Sequence, residues 1–353
     1  MNDLHAVSSL KQAVTNRTAV GAESGIFKTL AVAAVVIGLG LLVPMVLKSN
    51  FYLGLMISTI VLGISAVSIG FLAHQCGLVM FGAAGFSGGA SYLFGIAVVQ
   101  FGWSVMMAAA FAMVVSTLLS ALIGALIVRA RPLQFAMLTL ALAQMLNSLV
   151  KITDYRGVTG GDDGLRLDFV GTFFGLSQPQ LAKPETFWPV AWLALCGVLM
   201  LAWFVGRSRT GQVLRAIRAN EERMRFSGFN TYIPRLFAFT LAGFIAAVSG
   251  VLTGLNAAFV SPELLDFVTG GNALVAMLVG GPNSASGPVL GALLFVLGQD
   301  QFGANGHLEL LTGLGVVLAI VVFPQGTMGF ILNFVRKLSR RNTQTNGGSD
   351  AAH

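Results

Sequence analysis

The chain has 353 residues, of which 55% are hydrophobic and 10% charged, and its mean hydropathy is +0.80, whereas an ordinary soluble domain is about a quarter charged. A water-soluble core of this composition leaves no polar coat. The net charge of +7 does not mark a nucleic-acid binder, because Lys and Arg sit at the ends of apolar runs, where a membrane explains them.

In chain order, a polar leader over 1–25 with Lys11 and Arg17 precedes an apolar run near 27–47. That run is longer than the core of a signal peptide and is read as the first span. From Ser49 to Val128 there is no Asp, Glu, Lys or Arg, and at about 20 residues per crossing this stretch alone holds three or four helices. Further apolar runs fall near 133–150, 187–206, 236–256, 268–281, 286–299 and 308–325. Strand-period alternation is absent, so backbone polar groups must be satisfied within each helix, which excludes a barrel. The expectation is an all-α integral membrane protein, a polytopic bundle of about ten membrane segments. Two halves of five segments each would fit an inverted repeat. The membrane domain is placed at 26–330 and a polar, disordered tail at 331–353.

Within Gly77 to Tyr92 small residues are dense, and Gly85 with Gly89 gives a GxxxG spacing that suits close helix packing. Gln144, Asn147, Ser148, Asn256 and Asn272 are polar groups in apolar runs, read either as interhelical hydrogen bonding or as lining of a pathway. The runs 268–281 and 286–299 are too short for comfortable spans and flank a Gly/Pro/Ser segment, 280–288. Interrupted helices are tolerated in a membrane only where protein or water satisfies the freed backbone, so this region is a candidate pathway element.

The segment 207–235 holds Arg207, Arg209, Arg215, Arg218, Arg223, Arg225 and Arg235 against Glu221 and Glu222. Because cytoplasmic loops carry the basic excess, this segment is expected on the cytoplasmic side. Counting crossings outward from it puts the loop 151–186 outside and both termini inside, with Lys48 as an exception. Thr210 is read as the N-cap of a short amphipathic helix with Val213, Leu214 and Ile217 on its apolar face and Arg215, Arg218 and Glu222 elsewhere, stopped by Gly228. Such a helix either docks into a partner protein or lies on anionic headgroups.

Four ordered motifs, 77–92, Val158 to Leu165, the run Leu214 to Glu221, and Val279 to Pro282 followed by Gly287 to Ala292, resemble the branched-chain amino acid ABC transporter permeases, the LivH/LivM family, and its LivM-like branch most closely. The resemblance runs from about Phe51 to Phe330. It implies a bacterial inner-membrane importer built from two related permeases, here a heterodimer, two cytoplasmic ATPase subunits that hold ATP and Mg, and a periplasmic substrate-binding protein. Leu214, Arg215, Ile217, Arg218, Asn220, Glu221 and Glu222 would form the coupling helix on an ATPase. The loop residues Thr159, Gly160, Asp162 and Asp163 would face the binding protein, the alternative being a turn ordered by Asp and Gly alone. Met80, Ala83, Phe86, Ser87, Gln144, Asn147, Asn256 and Asn272 are the candidate pathway residues. Many relatives carry a Ser and a His or Gln where Met80 and Ala83 stand here, which removes polar groups and puts the family's usual cargo in doubt.

No GxxxxGK[ST] occurs, so the chain lacks a loop to cradle ATP phosphates, and energy is expected from other subunits, with no cofactor here. No carboxylate lies between Glu23 and Asp154, which weighs against the alternative of an ion-coupled carrier or channel acting alone. A permease for another small solute, such as urea, an amide or an aromatic carboxylate, is the other alternative. Cys76 and Cys196 form no CxxC pair, and His5, His74, His307 and His353 are scattered, so neither metal site nor catalytic residue is assigned.

Overall fold

A computed structural model describes residues 34–45, 49–169, 171–282, 284, 286–303 and 326–329. Helix α1 (Ala34–Met45) belongs to the unit Met1–Lys48 and is described by itself. The second unit begins at Ser49. It contains α2 (Asn50–Cys76), α3 (Ala83–Val99), α4 (Val105–Ile127) and α5 (Pro132–Lys151). After these come the short α6 (Arg156–Thr159) and α7 (Gln178–Leu181), then α8 (Pro184–Arg207), α9 (Arg209–Ala219), α10 (Glu221–Phe226) and α11 (Tyr232–Ala257). Helices α12 (Phe267–Gly280) and α13 (Gly287–Gly303) complete the larger elements. Among the described residues, α2, α4, α5, α8 and α11 are long and apolar enough to cross a membrane, and the chain is a multi-pass membrane protein. The predicted leader 1–25, the run 308–325 and the tail 331–353 lie outside the described residues.

Helix α2 is the hub. It packs against α3, α8, α9, α11, α12 and α13, and 72% of its apolar window is buried, against 22% for α4. Helix α4 shows why a lipid-facing helix still folds onto its neighbours. Ala108, Ala112, Ser116, Ser120 and Gly124 recur every fourth residue on its buried stripe, while Val114, Leu118, Leu122 and Leu126 are exposed on the other faces. Lipid tails are as apolar as leucine, so association is driven by close approach of small residues rather than by hiding large ones.

The same principle sets the α3–α11 contact. Gly250 lies directly against the Ser87 carbonyl, leaving no room for a Cβ, and one turn on the Ser91 hydroxyl donates to the Gly250 carbonyl at 2.7 Å. From α11, Ser249 donates to the Val61 carbonyl of α2 at 2.8 Å, so three helices are tied at one level. The GxxxG expectation is corrected here. Gly85 does meet a neighbour, with space for its Cβ only 2.9 Å from Ala143 Cα, but Gly89 faces open space. The close approaches on this helix come at three-residue steps instead: Gly82 on the Thr139 carbonyl of α5, Gly85 on Ala143, and Gly88 on the Leu264 carbonyl, where a Cβ would come within 2.6 Å.

The small-residue segment Gly77 to Tyr92 is helical only from Ala83, and Gly77 closes α2 in the left-handed region at φ 70. The break expected at 280–288 is present, separating the 14-residue α12 from the 17-residue α13. The loop 151–186 adds a two-stranded ladder that hydropathy gave no hint of, β1 (Leu165–Arg166) against β2 (Phe259–Val260). It ties this loop to the end of α11.

Replacing Gly250 with Val forces α3 and α11 apart, and overpacking of this kind costs about 1–3 kcal/mol. The detergent-solubilised G250V protein is expected to melt several degrees below the parent, with Gly89→Ala unchanged within the error of a thermal-unfolding scan.

Candidate functional site

A cavity of about 230 Å³ opens where α2, α3 and α11 diverge on the β1–β2 side of the serine-tied level. Its polar lining is Ser58 and Ser65 from α2, Ser87 and Ser91 from α3, Ser249, Thr253 and Asn256 from α11, and Thr269 from α12. Among the described residues no ionisable side chain lines it. Several hydroxyl protons are already committed: Ser87 donates to Ala83, Ser91 to Gly250, Ser249 to Val61, Thr253 to Ser249 and Thr269 to Glu263, all backbone carbonyls. What these groups have left to offer is oxygen lone pairs. Ser58, Ser65 and Asn256 make no side-chain hydrogen bond among the described residues and keep donors as well, so the lining offers acceptors in excess with a few donors, and among the described residues it holds no cation to balance a carboxylate.

Of the pathway residues expected from sequence, the structure brings Ser87 and Asn256 to this cavity. Met80 and Ala83 are fully buried outside it. Phe86 packs edge-on to Phe239 of α11 at 5.4 Å, and Phe239 in turn meets Phe135 of α5 at 5.5 Å, so Phe86 is part of an aromatic core. Asn147 is buried on α5, the Gln144 Nε2 is buried there without a hydrogen-bond partner among the described residues, and Asn272 is half-buried on α12; none of the three lines the cavity. Sequence reasoning missed Ser58, Ser65, Ser91, Ser249, Thr253 and Thr269. The available signal was a pair of hydroxyls at one- or two-turn spacing on each of α2, α3 and α11.

At the opposite, basic end the arginine-rich stretch forms two helices rather than one. Ser208 alone joins α8 to α9, and its hydroxyl, not that of Thr210, caps α9 by accepting from the Gly211 N–H at 3.3 Å. Gly211 fits because it sits against the Gly206 carbonyl, where a Cβ would come within 2.6 Å. Asn220 then ends α9 and caps α10, its side chain accepting from the Arg223 N–H at 2.9 Å. The chain turns at Gly228, φ 81, only after α10.

These joints sort the seven residues expected on a partner. Leu214 and Ile217 are buried, at 0% and 2% exposure, as α9 packs on α2, α8 and α11. The Arg218 guanidinium donates to the His74 carbonyl at the end of α2, and Arg215 donates to the Gly206 carbonyl, both at 2.6 Å. Glu221 accepts from Arg235 of α11 at 2.7 Å and from Arg225 at 2.7 Å. The Arg235 side chain is only 6% exposed, so Glu221 answers a buried charge. Asn220 and Glu222 are exposed, as are Arg215, Arg218 and, at 90% exposure, Phe226.

In the loop beyond α5, Thr159 is buried and its hydroxyl donates to the Val150 carbonyl at 2.8 Å. Gly160, Gly161 and Gly164 all take positive φ, with Gly164 lying against the Val260 carbonyl of β2. The turn thus lifts Asp162 and Asp163 to the surface, where Asp163 pairs with Arg156. Among the described residues no group of His, Cys, Asp and Glu could hold a metal ion.

Residues 51–323 match the family model described as branched-chain amino acid transport system / permease component. The high-affinity branched-chain amino acid transport permease LivH of Escherichia coli (strain K12) is 25% identical over 206 residues, covering 56% of this chain and 67% of LivH. BraD of Pseudomonas aeruginosa, with the same description, is 29% identical over 144 residues, 40% of this chain and 45% of BraD. The autoinducer 2 import system permease LsrC of Yersinia pseudotuberculosis is 30% identical over 193 residues, 51% of this chain and 48% of LsrC. No solved structure matches the chain.

Removing Glu221 leaves the buried Arg235 without its counter-charge, a loss of about 3–5 kcal/mol in a fully buried pair and smaller here because the Glu221 side chain is 26% exposed. Glu221→Ala is expected to lower the melting temperature markedly, whereas Glu222→Ala, on an exposed side chain, shifts stability by less than about 0.5 kcal/mol. Thermal unfolding of the two purified variants side by side checks this.

Proposed function

This chain belongs to the family of branched-chain amino acid transport permease components, and we propose from that premise that it forms half of a translocation pathway for a branched-chain or related amino acid. It is the membrane permease component of an ABC importer. The observation that carries the cargo reading is the uncharged, hydroxyl-lined cavity between α2, α3 and α11, which offers acceptors to an ammonium group within an otherwise apolar bundle. A different small uncharged solute is the second reading, favoured by the absence of a cation in the same lining and by the likeness to LsrC.

The rest of the machine follows from what this chain lacks. Without a phosphate-cradling loop it needs two ATPase subunits that bind ATP and Mg, and half a pathway needs a second, related permease. In this reading α9 and α10 form the coupling element on the cytoplasmic side of a bacterial inner membrane, with both termini on that side. Leu214, Ile217 and Glu221 seat the pair of helices on α2, α8 and α11, and Arg215, Arg218, Asn220, Glu222 and Phe226 face the ATPase. Thr159 and Gly160 hold the opposite turn in shape so that Asp162 and Asp163 meet a periplasmic substrate-binding protein. Nucleotide-dependent closure of the ATPases would then favour one access state of the bundle over the other.

Two measurements test this. With Cys76 and Cys196 replaced by Ala, a single Cys at Gln212 should react with a membrane-impermeant maleimide in inverted vesicles and not in right-side-out ones; the reverse pattern overturns the orientation. In proteoliposomes holding the full complex, Ser58→Leu and Asn256→Leu fill the cavity from side chains with no hydrogen bond among the described residues, and leucine uptake should fall at least about tenfold with ATPase recruitment unchanged. Unaltered uptake in both variants removes the cavity from the pathway.

A further inference from the structure

Helix α2 leaves the hydroxyl-lined cavity at Ser65, and from Val67 onward it borders a separate hollow of about 200 Å³ between α2, α8, α9 and the start of α13. Ser65 therefore stands at the closed end of the first cavity. It is 8% exposed, whereas Ser58 and Asn256, at the other end of the lining, are exposed. A hydroxyl on an apolar helix ordinarily turns back on a carbonyl of the preceding turn, as Thr59 does to Leu55, Ser68 to Ser65 and Thr253 to Ser249. Ser65 makes no side-chain hydrogen bond among the described residues. The carbonyl four residues back, that of Val61, already accepts the Ser249 hydroxyl at 2.8 Å besides the N–H of its own helix. The bond that ties α2 to α11 thus leaves the Ser65 proton to the cavity.

The other hydroxyls at this end have the opposite character. Ser91 and Ser249 are buried and their protons are spent on carbonyls, so they offer lone pairs. One free donor beside several acceptors matches a primary amide or a hydroxyl, whereas a methyl group placed there leaves the Ser65 hydroxyl unpaired, which a site of this kind penalises. Between the two ends Val61, Leu62 and Leu264 are apolar. Ser58 and Ser65 share one face of α2, and seven residues of helix separate them by about 10 Å. Less two hydrogen bonds of about 2.8 Å each, about 4–5 Å remains between the polar ends of a solute. We propose that Ser65 is a specificity-determining residue, and that the solute it selects is an amino acid whose short side chain ends in an uncharged amide or hydroxyl, a polar counterpart of the branched-chain amino acids. The α-carboxylate lies at the open end, where Ser58 and Asn256 keep donors for it, and the side-chain tip accepts from Ser65 and donates to Ser91 or Ser249. The inference rests on the reading that this cavity carries an amino acid, and it names the class.

The test is equilibrium binding to the purified full complex in nanodiscs, with no substrate-binding protein present, so that selection by that subunit does not enter. The probes are labelled leucine and labelled asparagine, which have nearly the same shape and differ at the tip of the side chain. The parent complex should bind asparagine about five- to tenfold more tightly than leucine, the worth of a neutral hydrogen bond at a buried hydroxyl. Ser65→Ala should weaken asparagine by that factor and leucine by less than about twofold, so that the preference disappears. A purely structural role for Ser65 would weaken both alike. Equal affinity for the two amino acids in the parent, no measurable binding of asparagine, or a preference that survives Ser65→Ala overturns the inference, and leucine uptake that still falls in Ser58→Leu and Asn256→Leu then leaves the transport reading standing. Binding of neither amino acid, together with uptake unaltered in those two variants, removes the transport reading and this inference with it.

Discussion

One contact sets the geometry of the bundle: the backbone of α3 touches the backbone of α11 at Gly250, and hydroxyls on either side lock it. In hydrocarbon no solvent pushes helices together, so cohesion depends on how near their backbones can come and on hydrogen bonds made where water is excluded. Ser91 and Ser249 supply those bonds while giving up their protons to carbonyls. The result is a rigid waist. Above it the helices separate, and the same small side chains that allowed the approach leave the lining polar, narrow and uncharged.

A second constraint governs the basic end. An arginine inside a bundle is tolerated only with an anion in reach, and Arg235 near the start of α11 finds it in Glu221 at the start of α10. Two further arginines, Arg215 and Arg218, spend hydrogen bonds on the carbonyls that end α8 and α2. Orphan carbonyls at helix ends must be satisfied, and a guanidinium does this with donors to spare. The α9–α10 pair is therefore fastened to three long helices through their termini, which makes it a rigid handle. A push on it is delivered to α2, α8 and α11 together.

Much of this was legible from the order of residues. Charge-free runs of helix length located α2, α4, α5, α8 and α11, and the Gly/Pro cluster at 280–288 located the break between α12 and α13. The arginine-rich stretch was recognised as one amphipathic helix, but its division was not, because Ser208 and Asn220 act as caps only once their side chains turn back to Gly211 and Arg223. A cap is a local geometry that composition does not record. The hydroxyl-lined cavity was half visible: Ser87 and Asn256 were found, while serines that read as ordinary packing residues on three separate helices converge only through tertiary contacts. Phe86 was misleading for a related reason, since proximity in sequence to Ser87 places it one residue round the helix, in the aromatic core. The spacing of Gly85 and Gly89 suggested one packing face where the structure uses steps of three, since α3 is gripped by α5 and by the turn before α12 as well as by α11.

Helix α2 is held near its midpoint, at Val61, by the hydroxyl of Ser249. Four residues along, Ser65 still looks into one hollow, and by Val67 the helix already borders the other. At about 100° per residue, Ser58, Val61, Leu62 and Ser65 fall on one face of α2 and Val67, Gly70, Phe71 and His74 on the opposite face, so a tilt of this stiff rod about its central pivot widens or narrows both spaces together.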